Sequence, residues 1–266
     1  MFKKTTRLFF TTLFFFLSFS FLLVQKLPAL AQEPNSSPAL TPSYVTIVNP
    51  VRGPDFWTLS NQTPLDFPAF QKTLHQKEEL SSTWLLRPDF LFQEELVSFF
   101  KDESFASDEI GLFLEVTPSW AKKAQVEYRE EPGWWFAKNV FLSGYNPQDR
   151  IVLVDQAFEK YYSVFNKYPE TVGAWHLDAE TVSYLKEKYQ INSLLICADQ
   201  FATDTYQIWG GWWGVPYYPQ KNNLLFPANK TQNKLDLVVL WWAARDPLNA
   251  YGDSVFQSTY SVQPND

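Results

Sequence analysis

Thr171-Val172-Gly173-Ala174-Trp175-His176-Leu177-Asp178 is the stretch on which the fold turns. Its first half is apolar without alternation, as in a strand buried on both faces. It closes on an aspartate that can cap a following helix. Upstream, Asn146-Pro147 opens a helix with an N-cap and a proline in the first turn, and Ile151, Val154, Phe158, Tyr161 and Phe165 keep helical spacing. Downstream, Val182, Leu185 and Tyr189 do the same before a second apolar strand over 192–198. Helix, strand, helix, strand in that order predicts a parallel sheet covered by helices.

Working outward, the pattern repeats. Strands are expected over 44–49, 83–87, 110–116 and 235–242, and helices over 67–80 and 92–101. His75, flanked by Lys72, Gln76 and Lys77, is expected on a solvated helix face. Residues 118–145 and 199–233 are expected as long loops, the second with room for one more short strand. Six strands with a possible seventh predict an α/β fold, a distorted or incomplete (β/α)7 barrel with long loops at the C-terminal strand ends. That end is where barrels of this kind place their sites.

The chain opens with Lys3, Lys4 and Arg7, then an uncharged run from Leu8 to Val24, then Ala29-Leu30-Ala31. This predicts a removable secretory signal over 1–31. An uncleaved anchor is the alternative, since the apolar run sits at the lower edge of what spans a bilayer. Residues 32–43, with three prolines, read as a flexible linker to a domain over 44–266. The expected location is secreted, periplasmic or at the cell envelope, with no stable membrane insertion after cleavage. Removing the leader's four cations takes the net charge from −7 to −11. Such a surface excludes nucleic acid as an expected partner, because phosphate binding needs clustered Lys and Arg. Cys197 is the only cysteine, so no intrachain disulfide forms, and its apolar neighbours predict a buried thiol.

Polar residues gather just past the strands. They are Arg52, Arg87 and Asp89, Glu115, His176 and Asp178, Asp199 and Gln200, and Arg245 and Asp246. Parallel strands bring such ends to one rim. Glu115, Asp178 and Asp246, with His176, are the candidate catalytic residues, since glycoside hydrolysis needs two carboxylates. Each has a plainer reading. Asp178 can be an N-cap, Asp89 and Asp246 can start turns beside proline, and Glu115 can pair with Arg52 or Arg87. Trp175, Trp209, Trp212 and Tyr217, together with Arg52, Arg87, Asp89, Asp199, Gln200 and Arg245, are candidate substrate contacts, because flat aromatic faces beside hydrogen-bonding groups suit sugar rings. Trp134-Trp135 and Gly210-Gly211-Trp212-Trp213 have the same loop character. With only two histidines and no Cys pair, no metal motif is present, and no metal or cofactor is expected.

Thr83-Trp84-Leu85-Leu86-Arg87, Glu109-Ile110-Gly111-Leu112 and Pro169-Glu170-Thr171-Val172-Gly173-Ala174-Trp175 resemble strands of the glycoside hydrolase/deacetylase barrel superfamily, which joins polysaccharide deacetylases with family 38 and family 57 glycosidases. The resemblance covers roughly residues 44–246. It implies a distorted (β/α)7 barrel and a carbohydrate substrate. Where deacetylases carry Asp-Asp and His-x-x-x-His, this chain reads Asn49-Pro50-Val51-Arg52 and Phe113-Leu114-Glu115-Val116-Thr117-Pro118-Ser119. Without that metal triad the resemblance points to a glycosidase in a separate branch. Non-catalytic glycan binding is the first alternative, and a metal-dependent deacetylase with altered ligands the second.

Overall fold

The computed structural model describes residues 46–52, 63–130, 137–197 and 216–242. Within them β1 (Val48–Val51), β2 (Thr83–Leu86), β3 (Glu109–Phe113), β4 (Thr171–Ala174), β5 (Ser193–Cys197) and β8 (Val238–Trp242) form one sheet in the order β1-β2-β3-β4-β5-β8. Every pairing in that sheet is parallel. The sheet curls as half of a barrel, so the architecture is the incomplete barrel expected from the sequence. Pro50 lies within β1, where its missing N–H is tolerated because β1 is at the edge of the sheet formed by the described residues.

The helices are α1 (Asp66–Lys77), α2 (Glu94–Phe100), α3 (Pro118–Ala124), a short α4 (Ala137–Val140), α5 (Pro147–Phe165) and α6 (Ala179–Tyr189). α5 starts as its sequence requires: the Asn146 side chain accepts from Asp149 N at 2.9 Å and Pro147 fills the first turn. α5 and α6 end on Asn166 and Gln190 in the left-handed region, at φ 57° and 59°. Leu153, Val154, Phe158 and Tyr161 of α5 pack with Val182, Leu185 and Tyr189 of α6 against the sheet's outer face. The Tyr161 hydroxyl donates to Ile110 O at 2.6 Å, which fastens α5 to β3.

The inner face carries a smaller cluster of Leu85, Phe113, Val140, Phe141, Trp175 and Leu195. Leu85 fits because its side chain reaches over two glycines, Gly111 on β3 and Gly173 on β4. A Cβ on Gly111 would strike Thr171 O and Leu85, and one on Gly173 would strike Leu85 and meet Phe113 at 3.0 Å. No other residue leaves that room.

Three expectations need correction. The segment 118–145 is not one long loop. Thr117 caps α3, accepting from Trp120 N at 3.2 Å with Pro118 in the first turn, and α4 follows. The second loop holds a hairpin of β6 (Pro219–Gln220) and β7 (Asn223–Pro227). His75 is buried, not solvated: its ring bonds Ser82 Oγ at 2.9 Å and Gln71 Nε2 at 3.0 Å and lies 5.7 Å from the Trp84 ring.

Burial lowers the His75 pKa, with the Asp108 charge opposing and Lys72 reinforcing. The unfolded chain therefore takes up a proton that the folded state resists. The contribution is fully present above the ordinary imidazole range and declines as pH falls below it. Urea midpoints should fall from mildly alkaline to mildly acidic buffer, and His75→Gln should flatten part of that fall. An unchanged slope in the variant would remove His75 from the account. No helix among the described residues is long and apolar enough to cross a membrane.

Candidate functional site

Strand periodicity assembles the rim. Arg52, Arg87, Glu115 and Trp175 each lie two residues beyond an inner-face position: Pro50, Leu85, Phe113 and Gly173. All four therefore return to the inner side at the C-terminal strand ends. Cys197 and Trp242, paired in register, close β5 and β8 at the same end.

Glu115 is the centre of this group, with 1 % of its side chain exposed. Arg52 grips it with both arms, Nε donating to Oε2 and Nη2 to Oε1, each at 2.8 Å. The Trp175 indole N–H donates to Oε1 at 3.1 Å, and the Arg52 guanidinium lies over the Trp175 ring at 4.6 Å. Burial alone would raise the carboxyl pKa. The Arg52 charge and hydrogen bonds, the Arg87 charge and the Trp175 bond together outweigh it, so the net shift is downward. Glu115 is thus a desolvated carboxylate held ionised. Beside it, burial first and the Glu115 charge second raise the Tyr128 phenol, which stays protonated.

The other sequence candidates fall into separate arrangements. Arg87 is turned onto Asp89, with Nε to Oδ1 at 2.7 Å and Nη2 to Oδ2 at 3.0 Å, and stacks on Phe90. Asp178 caps α6, accepting from Thr181 N at 2.9 Å and Thr181 Oγ1 at 2.6 Å, and pairs with Arg150 at 3.0 Å. Burial would raise its pKa, but the Thr181 bonds and Arg150 bring it down. His176 shares a 3.0 Å hydrogen bond with Ser143 Oγ and stacks on Phe141 at 6.2 Å. Phe141 also bridges Glu115 through its backbone, so one residue touches both the Glu115 and the His176 groups. Tyr217 is buried in the outer core, where its hydroxyl donates to Leu224 O at 2.6 Å.

Asp199, Gln200, Trp209, Trp212, Arg245 and Asp246 lie outside the described residues, as do Trp134-Trp135 and the 1–31 and 32–43 segments. The expected burial of the Cys197 thiol also falls on a side chain outside them. Sequence reading missed Ser143, Arg150 and Tyr128. Only Arg150, one turn into a capped helix, carried a recognisable signal. No group of three or more His, Cys, Asp or Glu among the described residues could hold a metal ion.

A family model described as "Domain of Unknown Function with solved-structure structure (DUF3863)" matches residues 107–266, more than half of the chain. The chain belongs to the DUF3863 family. The match takes in Glu115, His176 and Asp178, whereas Arg52 and Arg87 precede it. No curated protein matches this DUF3863 chain. Among solved structures, a protein described as a glycoside hydrolase/deacetylase from Parabacteroides distasonis is similar at 15 % identity and a TM-score of 0.48. The alpha-amylase AmyC from Thermotoga maritima is similar at 10 % identity and a TM-score of 0.36. Each similarity covers 76 % of this chain and 45 % of the other, so the DUF3863 chain spans under half the length of either.

Proposed function

We propose that this chain is an exported carbohydrate-active protein that hydrolyses glycosidic bonds of a polysaccharide or cell-envelope glycan at the C-terminal rim of its half-barrel. The observation that carries the reading is Glu115, a desolvated carboxylate kept ionised by Arg52 and Trp175 where barrel sites lie. A negative charge in that setting suits stabilisation of an oxocarbenium-like transition state. The leader over 1–31 and the linker over 32–43 would deliver the domain over 44–266 to the envelope.

The test is release of reducing ends from a panel of plant, fungal and bacterial polysaccharides by the full mature chain. Glu115→Gln, checked for folding by its melting curve, should lower release on the order of 100-fold or more. Undiminished release in that variant, or none from the wild type, removes the hydrolytic reading. A second reading, glycan binding without turnover, is favoured by the internal pairing of Asp89 with Arg87 and of Asp178 with Arg150. It predicts saturable saccharide binding with no product.

A further inference from the structure

At the described rim most polar groups are already engaged. Glu115 has both oxygens on Arg52, and Asp178 is divided between Thr181 and Arg150. His176 differs. Its Nδ1 is held by Ser143 Oγ, its ring is only partly exposed, and its Nε2 makes no hydrogen bond among the described residues.

Three elements fix that ring. Ser143 lies in the 3₁₀ turn Leu142–Gly144, and Phe141 at the head of that turn stacks on the imidazole with planes 25° apart. Arg150, from the first turns of α5, fastens the turn from beneath: Nε donates to Tyr145 O at 2.7 Å and Nη2 to Ser143 O at 3.3 Å. Its Nη1 pairs with Asp178 in the loop that carries His176. One arginine thus ties the turn that bears Ser143 to the loop that bears the histidine. A histidine anchored through one nitrogen and open at the other is arranged to give and take a proton.

We propose that His176 is the proton donor and acceptor of the glycosidic reaction, with Ser143 and Arg150 as its positioning residues. This deepens the hydrolytic reading above and rests on it. As the bond from the anomeric carbon to the leaving oxygen breaks, its electron pair stays with the oxygen, the oxygen takes the Nε2 proton, and the buried Glu115 charge stabilises the oxocarbenium-like carbon. Water then bonds that carbon and gives its proton to Nε2. Atoms and charge balance with no further reactant.

The charged groups facing the ring are Asp178 at the head of α6 and Arg150 on α5. Burial lowers the imidazole, Asp178 opposes this, and Arg150 adds to it. The protonated donor therefore accumulates only below the ordinary imidazole range, and the alkaline limb of the kcat/KM profile should lie there.

The test uses the full mature chain and paired phenyl and dinitrophenyl glycosides of glucose, galactose, mannose and N-acetylglucosamine. A dinitrophenolate leaves without protonation, whereas a phenolate needs a donor. His176→Gln should lose on the order of 100-fold or more on the phenyl glycoside and less than about 3-fold on the dinitrophenyl one. A structural role would depress both alike. Equal losses on the two substrates, or an unchanged alkaline limb, overturn the proposal while release that depends on Glu115 keeps the hydrolytic reading intact. Absence of release by the wild type removes both. The chain's two histidines allow a check without turnover. Diethyl pyrocarbonate should modify His176 in the native protein and spare His75, whose two nitrogens are hydrogen-bonded in the core. Modification of His75 alone would contradict an open Nε2.

Discussion

Arg52→Ala should destabilise the fold by about 3–5 kcal/mol, more than Glu115→Ala, although the two residues share the same bonds. The asymmetry follows from depth. Glu115 is 1 % exposed and Arg52 is 13 % exposed. Removing the arginine strands a carboxylate that water cannot reach. Removing the carboxylate leaves a guanidinium that still has some access to water and lies on the Trp175 face. The variants should also differ in their response to acid. In the wild type the Glu115 pKa is lowered, so its contribution is present above the ordinary carboxyl range and lost as pH falls through the folded value. In Arg52→Ala burial acts with less opposition and raises the pKa, the folded state binds the extra proton, and mild acid restores stability. Urea midpoints at neutral and mildly acidic pH measure both effects. A loss in Arg52→Ala below about 1 kcal/mol, the size of an exposed pair, would mean that this pair does not hold the rim together.

Asp108→Ala should cost a similar amount, about 3–5 kcal/mol, at the opposite end of the sheet. With none of its side chain exposed, Asp108 accepts from Lys72 Nζ at 2.7 Å, Ser82 N at 3.0 Å and Trp84 Nε1 at 3.0 Å. Alanine would orphan three buried donors at once, one of them charged, where each neutral loss alone is worth about 1–3 kcal/mol. For a domain of this size the melting temperature should drop by about 10 °C. Asp108→Asn keeps an acceptor and should fall between alanine and wild type. The double variant Lys72→Met, Asp108→Leu should recover only the part of the loss due to the stranded lysine, because Ser82 N and Trp84 Nε1 stay without their acceptor. Additive losses in that double variant would show that Lys72 and Asp108 do not act as a unit.

The elements legible in the sequence are those whose own residues determine them. The unbroken apolar run of β4 and the caps Asn146 and Asp178 need no knowledge of distant partners, and they stand where periodicity put them. α3 was equally readable from Thr117-Pro118, a cap followed by proline, but the surrounding charge obscured it. His75 was not legible. Lys72 and His75 share one face of α1, which reads as polar and exposed until Asp108 and Ser82, supplied by other elements, neutralise it from within. At the rim, the burial of Glu115 dictated that some arginine must answer it. The choice between Arg52 and Arg87 depended on Asp89, two residues from Arg87, which engages that guanidinium locally. Ser143 lies in a 3₁₀ turn shorter than any pattern that periodicity detects.

Leu85 is seated between Gly111 and Gly173, with Phe113 and Leu195 in the same inner cluster. Among the described residues the inner face of the half-barrel is therefore filled below the rim. Under the hydrolytic reading proposed above, a glycan would meet Glu115 and His176 from the C-terminal side of these strands, with no passage along their inner face toward the opposite end.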